Sequence, residues 1–175
     1  EGPNAALIVP PLAEERKGCV RPFAELARRL AQNGGWATML FDYAGTGDSP
    51  GDFSSLTWER MKKNAADTLT HLLKETKREN AALVAARLGA RIALELAQEM
   101  PDRVSRLCLW EPALDPAAWW SDARRRSRFR LGDVPRGAND VDGYLYGDEL
   151  VAVLSARRDE PPAPACPVTV FEIAG

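Results

Sequence analysis

The sequence predicts an α/β domain built on a doubly wound, mostly parallel sheet. Three observations predict it. Short continuous apolar runs, the mark of strands buried on both faces, recur along the chain. Amphipathic helical stretches separate them, as βαβ crossovers require. The turn after the third run, Ala85-Ala86-Arg87-Leu88-Gly89, is rich in small residues and leads directly into a helix.

The first run, residues 5–9, is stopped by Pro10-Pro11, and helical spacing follows over 19–33 at Phe23, Leu26, Ala27 and Leu30. Asn33-Gly34-Gly35 ends that helix, and residues 36–41 form the second strand. The glycine-rich stretch 42–51 is loop. Thr57 is the expected N-cap of an amphipathic helix running to about Arg78. Residues 81–85 make the third strand and 88–100 a helix ended by Pro101. A fourth strand spans 104–110, an irregular excursion 113–146, a short helix 148–157, and a fifth strand 167–173. Right-handed crossovers with the first strand placed centrally give the order 2-1-3-4-5. One domain over 1–175 is expected, with 113–146 as an excursion or lid.

Composition narrows the function. A net charge of −2 offers no global field for nucleic acid or an anionic membrane, and no segment is long and apolar enough to span a bilayer. Cys19, Cys108 and Cys166 are far apart and the chain has one histidine, which argues against a zinc site and for reduced thiols in a cytoplasm. Cys108 reads as a small core hydrophobe. Glu1-Gly2-Pro3-Asn4 has neither the basic nor the apolar region of a signal peptide, and a start without methionine so close to a strand is expected to lie inside a longer protein. The loop Gly45-Thr46-Gly47 follows the wrong strand for a dinucleotide fingerprint, so no nucleotide cofactor, and no other cofactor, is expected.

The segments Val9-Pro10-Pro11-Leu12-Ala13-Glu14-Glu15-Arg16, Phe41-Asp42-Tyr43-Ala44-Gly45-Thr46-Gly47-Asp48-Ser49 and Arg87-Leu88-Gly89-Ala90 resemble the α/β-hydrolase superfamily. The resemblance is to its serine-aminopeptidase-like branch and to the hydrolase-like proteins of bacterial exosortase systems, over about residues 5–112. It implies a hydrolase of small ester, amide or lactone substrates, with a G-x-S-x-G elbow at 85–89 where Arg87 stands in the serine position. It also implies an oxyanion hole from the backbone N–H groups of Leu88 and of Leu12 or Ala13. The family's acid and histidine would follow the fifth strand and a further strand, past Gly175, so the expected fold is a truncated one. The one histidine, His71, falls mid-helix. Ser49 and Asp48 look like a nucleophile and partner, but that loop is kept in the family for its backbone geometry.

Arg87 has no nucleophilic oxygen. Its guanidinium is expected either to join a network with Glu14, Glu15 or Glu111, which end at the same rim of the sheet, or to hold a small anionic ligand. Those three glutamates are also the candidate acid or base groups if an activated water were to replace the serine. Three functions therefore stand open: a hydrolase, a non-catalytic protein (a pseudoenzyme) gripping an anionic or acyl-type ligand, and a scaffold. Trp119-Trp120 would line a lid or, if exposed, anchor a partner, a second copy of the chain included. The run from Arg124 to Arg130 reads as a solvated helix face paired with Asp122 and Asp133 rather than as a nucleic-acid patch.

Overall fold

The computed structural model describes residues 4–131 and 139–172. A five-stranded parallel sheet runs in the order β2-β1-β3-β4-β7, with β1 Ala5–Val9, β2 Ala37–Leu40, β3 Ala81–Ala86, β4 Val104–Trp110 and β7 Val168–Phe171. This is the expected order, the chain's fifth sheet strand being β7 once a two-residue hairpin, β5 Asp140–Val141 and β6 Tyr144–Leu145, is counted. Helices α1 (Glu14–Gly34), α2 (Trp58–Thr76), α3 (Leu88–Glu99), α4 (Pro116–Leu131) and α5 (Asp148–Ala156) connect them. Among the described residues no helix is long and apolar enough to cross a membrane.

The strand period of two divides the core. Leu7, Val9, Leu83, Ala85, Leu107 and Leu109 join the main cluster with Met61, Leu69 and Leu72 of α2 and Ile92 and Leu96 of α3. Ile8, Val84 and Ala86 turn to the other face and pack on Phe23, Leu26 and Ala27 of α1. Cys108 belongs to this thinner side and is half-buried, so it is not the core residue that its apolar neighbours suggested. Thr57 caps α2 as expected, its hydroxyl accepting from the Arg60 N–H at 3.1 Å.

Besides the hairpin, two elements depart from the sequence expectation. Helix α1 begins at Glu14, five residues before the apolar spacing starts, because its first turn is held by charge rather than burial; Glu14 and Glu15 lie where helix N-termini favour carboxylates. The excursion 113–146 contains a full helix, α4. Asp115 caps it, its carboxylate accepting from the N–H groups of Ala117 (2.8 Å) and Ala118 (2.9 Å), and Pro116 supplies a preset φ at its first position. The helix escapes an apolar-period search because its buried face mixes Ala117, Trp120 and Ala123 with Ser127, between arginines.

Two strand-to-helix turns share one unusual backbone. Ala13, after β1, has φ 51° and ψ −124°; Arg87, after β3, has φ 52° and ψ −129°. Side chains avoid this region at a cost of about 1–3 kcal/mol. Ala13→Gly is therefore expected to change stability by less than about 0.5 kcal/mol, strain relief offsetting the lost buried methyl. Ala93→Gly, in the buried middle of α3, is expected to cost about 2 kcal/mol, since helix propensity and burial are both lost. Urea denaturation of the two variants checks the contrast.

Candidate functional site

The site gathers where β1 and β3 end. Helix α3 starts one residue after Arg87 and presses close on β1: a Cβ placed on Gly89 would lie 2.9 Å from the Val9 carbonyl oxygen and closer still to that of Pro10. Only glycine allows that approach. The Arg87 backbone is tied on both sides, its N–H donating to the Trp110 carbonyl (3.1 Å) and its carbonyl accepting from Ala90 N–H (3.0 Å) and Ala113 N–H (3.1 Å). The side chain projects into a cavity of about 440 Å³ lined by both turns, the start of α1, α4 and the hairpin. Leu12 and Ala13 line it beside Arg87, and Leu88 is fully buried as the first residue of α3.

Of the three glutamates expected near Arg87, the structure brings one carboxylate to it. Glu15 Oε1 accepts from Arg87 Nε and Nη2, both at 3.2 Å. Glu111 contributes its main-chain carbonyl, which accepts from Arg87 Nη1 at 3.0 Å. The Glu14 carboxylate turns instead to Lys17 at 2.6 Å, with Arg130 at 3.9 Å. That hydrogen bond from Lys17 to Glu14 holds the ammonium above its ordinary pKa.

Two further partners come from α4 and were not expected. Arg126 Nη2 donates to Glu15 Oε1 at 2.9 Å, and Trp119 Nε1 donates to Glu15 Oε2 at 2.9 Å. Glu15 thus receives two guanidiniums and an indole N–H around one carboxylate. Its side chain is 19% exposed, that of Arg87 30% and that of Arg126 40%, so the cluster is shielded yet open to solutes. At the cavity's outer wall Arg130 pairs with Asp142 at 2.5 Å. Burial pushes the thiol of Cys19, on the first turns of α1, and the phenol of Tyr146, in the cavity wall, upward in pKa. The signal for Arg126 and Trp119 lay in the sequence: Asp115-Pro116 marks the helix start, and the helical period then puts 119, 123, 126 and 130 on one face.

The other candidate residues sort cleanly. Trp119 and Trp120 are both buried, so they do not form an exposed anchor; Trp119 lines the cavity and Trp120 packs edge-on to Tyr146, the ring centroids 4.7 Å apart. Ser49 Oγ donates to the Asp42 carbonyl at 2.8 Å and Asp48 N–H to the Asp42 carboxylate at 3.2 Å, a turn fixed by its own hydrogen bonds. His71 is exposed on α2 and is not among the cavity's lining residues. The arginine run divides: Arg126 and Arg130 face the cavity, Arg125 pairs with Asp122 at 2.8 Å, and Asp133 lies outside the described residues.

Similarity to known proteins agrees with this geometry. A structure from Agrobacterium vitis S4, provisionally designated a hydrolase, superposes with a TM-score of 0.64 at 23% identity, covering 97% of this chain and 70% of that one. Est1E from Butyrivibrio proteoclasticus gives 0.68 at 16% identity, covering 98% and 67%. A structure from work on LipS and LipT, two metagenome-derived lipolytic enzymes, gives 0.63 at 13% identity, covering 98% and 72%. At these identities the likeness establishes the α/β-hydrolase fold. The sequence profile described as serine aminopeptidase, S33, matches residues 18–133, a stretch that contains α1 from its fifth residue on, β3, the Arg87 turn and α4. The chain belongs to that family of hydrolases.

Proposed function

We propose that this hydrolase-family chain binds a small carboxylate-bearing ligand at the Arg87 turn and does not cleave esters or amides through an acyl-enzyme. The observation that carries this reading is the imbalance around Glu15, where two guanidiniums share a single carboxylate. Arg87 and Arg126 together can engage a second anion, and bidentate guanidinium–carboxylate contacts are short, directional and strong. Arg87 occupies the elbow position, where a family enzyme would carry its serine. A guanidinium stays protonated and has no lone pair to attack a carbonyl. The neighbouring N–H groups of Leu88 and of Leu12 or Ala13, which would hold an oxyanion in a hydrolytic relative, here suit the ligand's carboxylate oxygens. The lid reading of 113–146 fits the same site, because α4 supplies Trp119 and Arg126 from above.

Calorimetric titration with acetate, benzoate and succinate tests the proposal, alongside turnover of p-nitrophenyl esters. Binding by the intact chain is expected, with affinity falling at least about tenfold in Arg87→Ala as one charged hydrogen-bond donor set is lost. Ester turnover that survives purification and disappears in Arg87→Ala would restore the hydrolytic reading. Carboxylate binding unchanged by that substitution would place the ligand elsewhere.

A further inference from the structure

A second cavity lies on the opposite side of α4. It has a volume of about 540 Å³ and is bounded by Trp120, Arg124, Arg125 and Arg128 from α4 and by Ser155 and Arg158 from α5 and the residues just after it. Residues 121, 124, 125 and 128 follow helical spacing, so they present one face. Arg126, two positions on from Arg124, is rotated by about 200° and serves the other cavity. The helix thus divides its arginines between two sites that do not share a lining residue.

Among the described residues no carboxylate lines this second cavity, and its polar side chains are hydrogen-bond donors or hydroxyls. Four guanidiniums meet there, and among the described residues one acidic group, Asp122, pairs with them, through Arg125. Arg124 is held over the Trp120 ring at 5.9 Å, which keeps a strong donor in place without neutralising it. Among the described residues the buried indole N–H of Trp120 has no hydrogen-bond partner, a group that costs free energy to leave unpaired. Beside these donors Phe129 is 89% exposed, far more than a phenyl ring on a solvated helix face requires. The whole chain carries a net charge of −2, so this concentration of cations is not a product of composition.

We infer that this cavity is a binding site for a small organic diphosphate. A cavity walled by donors selects an acceptor-only ligand. A diphosphate supplies several anionic oxygens in a span that a set of guanidinium forks matches, and the use of arginine throughout, with no lysine, favours that paired geometry over a point charge. The exposed Phe129 ring offers the apolar surface on which the organic portion rests. This site is independent of the carboxylate pocket at Arg87.

Calorimetry and thermal-shift measurements on the intact chain decide it, with inorganic pyrophosphate and a nucleoside diphosphate as probes. Both are expected to bind, pyrophosphate the more weakly, and with an affinity that falls steeply between about 50 and 200 mM salt. Arg128→Gln/Arg158→Gln is expected to weaken both at least about tenfold, two charged donors being lost. These side chains are exposed, and an unchanged circular dichroism melt confirms that the variant folds. Phe129→Ala is expected to weaken the nucleoside diphosphate alone, and Arg87→Ala to leave both unchanged. The inference is overturned if pyrophosphate fails to bind, or if binding is lost in Arg87→Ala but kept in Arg128→Gln/Arg158→Gln. It is equally overturned if the arginine face binds only vesicles containing phosphatidylserine, or only single-stranded nucleic acid.

Discussion

Replacing Arg91 by methionine is expected to cost about 3–5 kcal/mol of folding stability, read as a lowered urea midpoint with an unchanged slope. Arg91 is fully buried in α3, and its guanidinium is used from every side. Nε donates to Glu95 at 2.8 Å; Nη1 donates to the carbonyls of Leu114 (3.1 Å) and Asp159 (3.0 Å); Nη2 pairs with the Asp159 carboxylate. Glu95, 6% exposed, also accepts from Trp58 Nε1 at 2.9 Å and pairs with Arg157 at 3.0 Å. Arg157 and Arg91 together hold the Asp159 carboxyl at a pKa of about 2, below its ordinary value of 3.8. Methionine fills much of the volume of the arginine but leaves a buried carboxylate short of one cation and two carbonyls without donors. Arg91→Met/Glu95→Met is expected to be less destabilised than the sum of its single variants, because the uncompensated charge is then gone. If Arg91→Met melts within about 1 kcal/mol of the parent, the network has no structural role.

The second large effect concerns ligand affinity. Glu15→Gln is expected to raise the affinity for acetate or benzoate about tenfold, close to 1.4 kcal/mol of binding free energy, while lowering stability by about 1–2 kcal/mol. Glutamine retains one acceptor oxygen for Trp119 or a guanidinium but removes the charge that the two arginines share. Arg87 and Arg126 then face each other across the cavity without an anion, and a solute carboxylate supplies it. The opposite responses of Glu15→Gln and Arg87→Ala, measured by the same titration, separate this arrangement from a purely structural ion pair. If Glu15→Gln leaves carboxylate affinity unchanged, Glu15 does not compete for the site.

How far the sequence disclosed this molecule depended on what held each element. β1 begins and ends as its apolar run does, since continuous burial on a parallel sheet writes itself directly into residue type. The strand order followed from handedness rules that need no side chains. The first turn of α1 was hidden because it rests on dipole and ion-pair contacts, and α4 because its buried Trp119, Trp120 and Ala123 are interleaved with arginines that blur the apolar period. The hairpin at 140–145 turns on Asp142-Gly143, both at positive φ, a two-residue signal lost among the glycines around it. At the site, Arg87 was identifiable from the strand–turn–helix context, and a glutamate partner from the shared rim of the sheet. Which glutamate, and that α4 would complete the shell, required knowing where a helix 104 to 111 residues further along would dock.

Those separations have a kinetic consequence. Glu15 meets Arg87 across 72 residues, Trp119 across 104 and Arg126 across 111. Contacts of such long sequence separation incur their loop-closure entropy before they return any energy, so they form late in folding. The cavity at Arg87 is thus incomplete in any partly folded chain that has assembled only its first strands and helices. A ligand held there binds the finished fold alone and stabilises it by mass action in proportion to its concentration over its dissociation constant. Occupancy of that pocket by the proposed ligand would in this sense report that the earliest and the late-arriving parts of the chain have met.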